Sequence, residues 1–431
     1  MKRSRILRLI AVLAALALFA GACSSGSDSG GSGDLKTGDG VTSDTITLGL
    51  MSDLSGPAGA LGKPIVDGQK AYWDYVNANG GVAGRQIKVV VEDHQYNPQT
   101  AQAAYEKIKS EILGLPLLLG TPISEALKPV LEEDKVLTSP ASLSSGLATD
   151  PFFVMVGTPY AMSTGNAVAE IVKNQGGEGK KIALIYQNDD YGKDALKGWE
   201  VAKETYTFDE AAQITYNATD TQFNEQISQL VGSGADFVVI AGLPTQAAGI
   251  LGGAAQQGFT KPAYGLAPVW NRALLKSPAA DLIKQVLKIV SAQAYWGEDV
   301  SGMKTMLDAV DQYQPAYKDN PNDYFTFGWT QALVYHAIME KAVDLGDITR
   351  DGMETAFSKV GKVDTGGLLP PLDYGDSPDT RVPSREDRIS EPVADDSSYP
   401  AELKPITDYF ESEAAKKVQV GDSTPDPTPT S

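Results

Sequence analysis

The sequence predicts an α/β protein built as two doubly wound, parallel-sheet lobes. Three observations lead there. From residue 45 onward, short apolar strands alternate with amphipathic helical stretches, the pattern of parallel strands covered by helices on both faces. The alternation falls into two sets, one over about residues 45–160 and one beginning near Met162. Finally, a chain of 431 residues with 42% hydrophobic residues can bury two cores of ordinary size.

Each element has its own local reason. TITLGLM (45–51) is a short apolar strand, and IVDGQKAYWDYVNANGG (65–81) is an amphipathic helix that stops at Asn79-Gly80-Gly81. RQIKVVVED (85–93) is the second strand. PQTAQAAYEKIKSEI (98–112) is the second helix, with Pro98 near its start. PLLLG (116–120) is the third strand and leads into a helix from SEALKPVLEED (124–134). In the second set, KIALIYQ (181–187), AAQITYN (211–217) and ADFVVIAG (235–242) read as strands, with helices in DALKGWEVAKET (194–205) and TQFNEQISQLVGSG (221–234).

The two chain ends read differently. MKRSR and Arg8 supply four positive charges, residues 9–20 carry none, and the small residues Gly21 and Ala22 precede Cys23. That is the layout of a signal peptide over residues 1–22. The apolar run falls short of the roughly 20 residues of a membrane span. A cysteine at the cut site resembles the lipobox of bacterial lipoproteins, which makes Cys23 the lipidated first residue of the mature chain; the bland alternative is ordinary cleavage beside an incidental cysteine. Residues 23–43, rich in Gly, Ser and Asp, read as a flexible linker, and residues 421–431, rich in Pro and Thr, as a disordered tail. The expected location is therefore the outer face of the cytoplasmic membrane, reached by export and held by lipid.

Composition narrows the function. Cys23 is the only cysteine, so the exported body folds without an intramolecular disulfide. The formal charge is −19, and loss of a leader with four cations and no acid would leave about −23. Such a surface repels nucleic acid and anionic headgroups. There is no G-x-S-x-G elbow and no H-E-x-x-H, and the only histidines are His94 and His336. No catalytic residue, metal site or cofactor is expected, and the chain is not expected to be an enzyme. GPAGALGKP fails as a phosphate loop because Pro57 and Pro64 occupy required positions. QNDDYGKD carries carboxylates, but Tyr191 and Gly198 fall where a calcium loop needs ligands.

Ligands of doubly wound sheets bind beyond the carboxyl ends of the strands. Here those ends carry SDLSGPAGALG after the first strand, GTPISEALK after the third, TSPASLSSG, and NDDYG after the first strand of the second lobe. Ser124 falls at the expected start of a helix, where its hydroxyl and the free N–H groups suit a carboxylate or simply cap the helix. Tyr191 is offered by NDDYG.

In this order, the segments resemble the type I periplasmic binding protein family, in particular the leucine/isoleucine/valine-binding proteins of ABC importers. SDLSGPAGALGKPIVDGQKAYWDYVNANGGVAGRQIKVVVED is similar to the family's opening block, DDYGKDALKGWE to the block that opens its second lobe, and DFVVIAG with AAGILGGAAQQGF to a later strand and helix. The resemblance covers about residues 45–375. It implies two α/β lobes joined by a three-strand hinge, with crossovers near Tyr160, Gln293 and Thr365. Lobe 1 would comprise residues 44–160 plus 294–365, and lobe 2 residues 161–293 plus 366–420. It also implies a monomer that captures a small-molecule solute in the cleft and delivers it to an ABC permease in the membrane. A sensor serving a membrane signalling partner, and less readily an extracytoplasmic enzyme, are the alternatives.

Site residues follow from the resemblance position by position. Ser124 matches the serine that binds a ligand carboxylate, Ala141 the alanine whose backbone binds ligand, and Tyr191 the second-lobe tyrosine. The family's threonine aligns with Leu143, or with Ser142 if the gap shifts. Leu61 and Leu243 stand where the family carries aromatics, and Trp270 follows in YGLAPVWNR. The acid that would hold an α-ammonium is missing near Ala267. An unpaired buried ammonium is costly, so a carboxylate, amide or less polar solute is expected over an α-amino acid. The type member's disulfide cysteines align with Tyr96 and Ile123.

Overall fold

The computed structural model describes residues 35–375, 377, 381–393 and 402–421. The expected signal peptide, Cys23 and nearly all of the expected tail lie outside the described residues. The first half alternates as β1 (Thr45–Ser52), α1 (Gly59–Ala78), β2 (Gln86–Asp93), α2 (Pro98–Ile108), β3 (Gly114–Leu119), α3 (Thr121–Glu133) and β4 (Thr138–Ala141). The strands form one parallel sheet in the order β2-β1-β3-β4. The second alternation comprises α4 (Tyr160–Asn174), β5 (Lys181–Gln187), α5 (Asp190–Thr205), β6 (Asp209–Tyr216), α6 (Asn224–Ser233), β7 (Phe237–Ala241), α7 (Pro244–Gln256), β8 (Ala263–Leu266), α8 (Ala280–Val286) and β9 (Leu287–Ser291). Then come α9 (Ser301–Tyr313), α10 (Asp323–Asp344), α11 (Arg350–Phe357), β10 (Arg388–Pro392), β11 (Leu403–Pro405) and α12 (Glu413–Lys417).

The second sheet has the order β11-β10-β9-β8-β7-β5-β6. It is parallel from β6 to β9, but β10 and β11 are antiparallel to their neighbours. The second lobe is thus the expected doubly wound, mostly parallel sheet, with an added antiparallel edge. β10 enters from the far side of the molecule after α11, so no right-handed βαβ crossover fixes its direction.

The chain passes between the two sheets three times: between β4 and α4, between β9 and α9, and between α11 and β10. These segments bond to one another. Ala294 N donates to Leu368 O at 2.8 Å and Tyr374 Oη to Met155 O at 2.7 Å. Thr158 Oγ1 donates to Glu386 O at 2.5 Å. They are largely extended connections, with a short antiparallel ladder between Lys362–Val363 and Leu372–Asp373 in the third and a bridge between Thr138 and Phe153 in the first.

Other differences have local causes. α1 begins six residues earlier than its periodicity suggests and carries Pro64 in its second turn, where it removes one helical backbone hydrogen bond. α3 begins at Thr121, not Ser124. Gly120 turns the corner at φ +105°, a conformation costly for any other residue, and Pro122 suits the first turn. The expected linker 23–43 is shortened at its far end: Lys36–Thr37 pairs with Asp347–Ile348, and Lys36 Nζ reaches Asp347 Oδ2 at 3.0 Å.

Helices α1 and α10 cross in close backbone contact. A Cβ on Gly68 would lie 2.1 Å from Phe325 O, and one on Gly328 would lie 2.1 Å from Ile65 O. The two backbones therefore touch at a pair of reciprocal glycines. Tyr72, Trp73 and Trp329 pack edge-on around that crossing.

Candidate functional site

The first wall of the site comes from the loop after β1. Asp53 Oδ2 accepts from Ala58 N at 2.7 Å and Asp53 Oδ1 from Ser55 N at 3.2 Å, while Asp93 Oδ1 accepts from Leu54 N at 2.9 Å. These carboxylates fold SDLSGPAGALG back on itself and turn Ala58 and Leu61 inward. Leu61 then joins Ile65, Leu119 and, from the other lobe, Leu243 in one apolar cluster. Burying Leu243 across the cleft stabilises the closed arrangement by roughly 1.5–3 kcal/mol.

Between the lobes lies a cavity of about 110 Å³. One water needs on the order of 10–15 Å³ on this measure, so the space suits a small molecule. Its walls are largely Leu, Ile, Ala, Val and aromatic side chains, and among the described residues no Lys, Arg or His lines it. Hydroxyls are distributed around it: Tyr96 and Thr121 on the first lobe, Tyr160, Ser163 and Tyr191 on the second. Tyr160 and Tyr191 pack at 4.5 Å between ring centroids. Burial pushes the hydroxyls of Tyr96, Tyr160 and Tyr191 far above the usual phenol range, so all three remain proton donors.

The lobes are latched across the cavity. Tyr96 Oη donates to Asp189 Oδ2 at 3.3 Å, and Gln187 Nε2 donates to Tyr96 Oη at 3.2 Å. Asp189 also caps α5, accepting from Tyr191 N at 3.1 Å; the acids of NDDYG therefore have a structural task. Opposite, Trp270 Nε1 donates to Asp323 Oδ2 at 3.0 Å, and Tyr324 Oη approaches the carbonyl of Trp270 at 2.8 Å.

Of the residues expected from sequence, Leu61, Ala141, Tyr191, Leu243 and Trp270 line this one cavity. Ser124 and Ser142 do not. Ser124 sits past the first turn of α3, fully buried, and its Oγ has no hydrogen-bond partner. The position facing the cavity is Thr121, three residues earlier, and Ser142 serves it: Thr121 Oγ1 and Ser142 Oγ are 2.8 Å apart. Leu143, the other candidate for the family's threonine, does line the cavity. The early start of α3 shifts the register. Thr121, directly after the strand-ending Gly120, was readable as a first-turn hydroxyl. Tyr96 and Ile123, at the type member's cysteine positions, both flank Gly120.

The expected absence of an acid near Ala267 holds along the chain but not in space. Asp323 lines the cavity together with Ala267, Pro268 and Trp270, and Asp387 lines it as well. Burial pushes both carboxyls up to about 7. Neither had a signal in its local sequence, since each is carried in from a distant segment.

Comparisons with known proteins agree with this geometry. The profile of the family described as "Periplasmic binding protein" matches residues 45–388. A fatty acid ABC transporter substrate-binding protein from Thermomonospora curvata superimposes with a TM-score of 0.84 at 31% identity, covering 90% of this chain and 98% of that one. The Leu/Ile/Val-binding protein of Escherichia coli is 21% identical over 347 residues, 78% of this chain and 89% of that protein. The leucine-, isoleucine-, valine-, threonine- and alanine-binding protein of Pseudomonas aeruginosa is 25% identical over 237 residues, 53% of this chain and 62% of that protein. The two lobes, the cleft between them and these matches establish that the chain belongs to the type I periplasmic binding protein family, of the leucine/isoleucine/valine-binding-protein type.

Proposed function

We propose that this protein is the extracytoplasmic solute-binding component of an ABC importer, tethered through a lipidated Cys23, and that its solute is a small apolar carboxylate. The observation that carries the reading is the cavity wall: leucine, isoleucine and aromatic side chains from both lobes, with hydroxyls and, among the described residues, no cationic side chain. Such a lining accepts an alkyl or aryl body. The hydroxyls of Thr121 and Tyr191, with the free N–H groups at the start of α3, can hold a carboxylate. The relative from Thermomonospora curvata, named for fatty acid transport, supports the same class. Ligand contacting both lobes would favour the closed form, which a permease would recognise.

Asp323 favours a second reading, an α-amino acid whose ammonium it would face. Its oxygens, however, already accept from Trp270 Nε1 and from Trp296 N at 2.9 Å. Thermal-shift screening of short- and medium-chain carboxylic acids beside branched-chain amino acids separates the two. The carboxylates are expected to stabilise the protein, by about 2.7 kcal/mol at 100 times the dissociation constant, and to be recovered unchanged. Stabilisation by amino acids alone would overturn the carboxylate reading, and consumption of the compound would overturn the binding role. Cys23→Ser is expected to move the protein from the membrane fraction to the soluble fraction; retention in the membrane would refute the lipid anchor.

A further inference from the structure

The cavity divides into a polar corner and a hydrocarbon remainder. The corner gathers around the start of α3. Tyr96 packs on Gly120, where a Cβ would lie 2.9 Å from its Cε2 atom, and its hydroxyl bonds to Asp189, the cap of α5. Thr121 of the first lobe and Tyr191 of the second are thereby held at one end. Elsewhere polar side chains on the wall are already engaged within the protein. Thr158 Oγ1 donates to Glu386 O at 2.5 Å, and Gln293 Nε2 to Asp323 O at 2.6 Å. The carboxyl of Asp323 accepts from Trp270 Nε1 and Trp296 N, and that of Asp387 from Asn166 Nδ2 at 2.8 Å. The Tyr324 hydroxyl lies 3.0 Å from Pro268 O and 2.8 Å from Trp270 O. Between these groups the wall is aliphatic, with Ile65, Leu119, Val156, Leu243, Ile289 and Leu369.

Size sets a second limit. The space of about 110 Å³ equals that of roughly 7–11 waters, at about 10–15 Å³ each. A methylene group fills about as much room as a water, so a solute of roughly 7–11 non-hydrogen atoms fits. Two of those atoms are the carboxylate oxygens. We infer that the solute is a monocarboxylic acid of about five to nine carbons with an unsubstituted hydrocarbon tail, and that Leu243 limits the length of that tail. The inference rests on the carboxylate reading above and narrows it. Leu243 is the side chain that the second lobe inserts among Leu61, Ile65 and Leu119 of the first. A polar group on the tail would give up water for walls whose donors and acceptors are paired, and would be buried unsatisfied. A second carboxylate would also face Asp323 and Asp387 with, among the described residues, no cation on the wall to relieve the repulsion.

The test is calorimetric titration of the purified protein with straight-chain acids from butanoate to dodecanoate. Affinity is expected to rise about fourfold per added methylene, the ~0.8 kcal/mol of burying one, to reach a maximum between about five and nine carbons, and then to fall. The ω-hydroxy and ω-carboxy counterparts of the best acid are each expected to bind about tenfold more weakly. Leu243→Ala is expected to move the maximum to acids about two or three carbons longer, the room that the lost side chain leaves. Leu243→Phe is expected to move it to shorter acids, which keeps the test available if the alanine variant fails to fold. Affinity that keeps rising to dodecanoate overturns the size limit. Equal or tighter binding of the ω-hydroxy or ω-carboxy acid overturns the hydrocarbon tail. A maximum that stays in place in both variants removes Leu243 as the limit. Each of these results leaves the carboxylate reading standing, whereas failure of every acid to bind overturns the inference together with that reading.

Discussion

At the scale of single residues, the site shows what one helical turn can do. Ser124 and Thr121 carry the same functional group three positions apart, yet only Thr121 faces the cavity. Ser124→Ala is expected to leave ligand affinity unchanged and to raise stability by about 1 kcal/mol, since it deletes a buried hydroxyl that has no partner. Thr121→Val is expected to weaken a carboxylate ligand by roughly 1.5–3 kcal/mol if its hydroxyl donates to the charge; titration of both variants checks the pair, and the opposite ranking would restore Ser124 as the ligand residue. Asp323 makes a prediction about pH. Burial first, and then the nearby Glu298, hold its proton up to about 7, against the lowering influence of Arg272 and of hydrogen bonds from Trp296 and Trp270. The folded form therefore binds this proton more tightly than the unfolded chain, whose carboxyl titrates near its ordinary value of 3.8. The contribution is complete below that value and is lost as pH rises through about 7, by at most about 1.4 kcal/mol per pH unit. Urea unfolding at pH 5, 6 and 7 is expected to show a shallower fall in stability for Asp323→Asn than for the parent protein; an unchanged slope would mean that Asp323 does not titrate there. None of this was legible locally, because a pKa depends on neighbours brought from other elements.

At the scale of elements, periodicity located β5 to the residue and the five other strands it delimited within two residues, because apolar runs bounded by turn residues leave few alternatives. Starts of helices were less legible. α1 and α3 both begin earlier than their apolar periodicity, in segments held by a carboxylate-built loop and by Gly120. Those are tertiary and backbone constraints that a hydrophobic pattern does not record. The crossing of α1 and α10 was likewise invisible, since Gly68 and Gly328 are 260 positions apart and become a pair only when the helices dock. That contact is exacting. Gly328→Ala would drive a methyl into Ile65 O, and the helices must separate to admit it. A loss of about 1–3 kcal/mol is expected, read as a lower midpoint in thermal unfolding. Ile65 and Phe327 beside the crossing both line the cavity, so ligand affinity should fall with it. Unchanged stability and affinity would show that the contact is looser than drawn.

At the scale of the whole molecule, two alternating sets of strands and helices were enough to indicate two lobes, and strand-end loops were enough to place five of the seven expected site residues around one cavity. The rest depended on long-range closure. The antiparallel edge of the second sheet comes from a short strand, RISEP, that no crossover helix announces. Asp323 and Asp387 arrive at the cavity from segments without strand-end character. Closure also leaves the two halves meeting at Trp270, which is 3% exposed, lines the cavity and gives its indole N–H to an acid on the opposite half. An indole that exchanges such a sheltered bond for water changes the colour of its ultraviolet emission. The molecule thus carries a built-in optical gauge of its own gape, readable in solution without any attached dye.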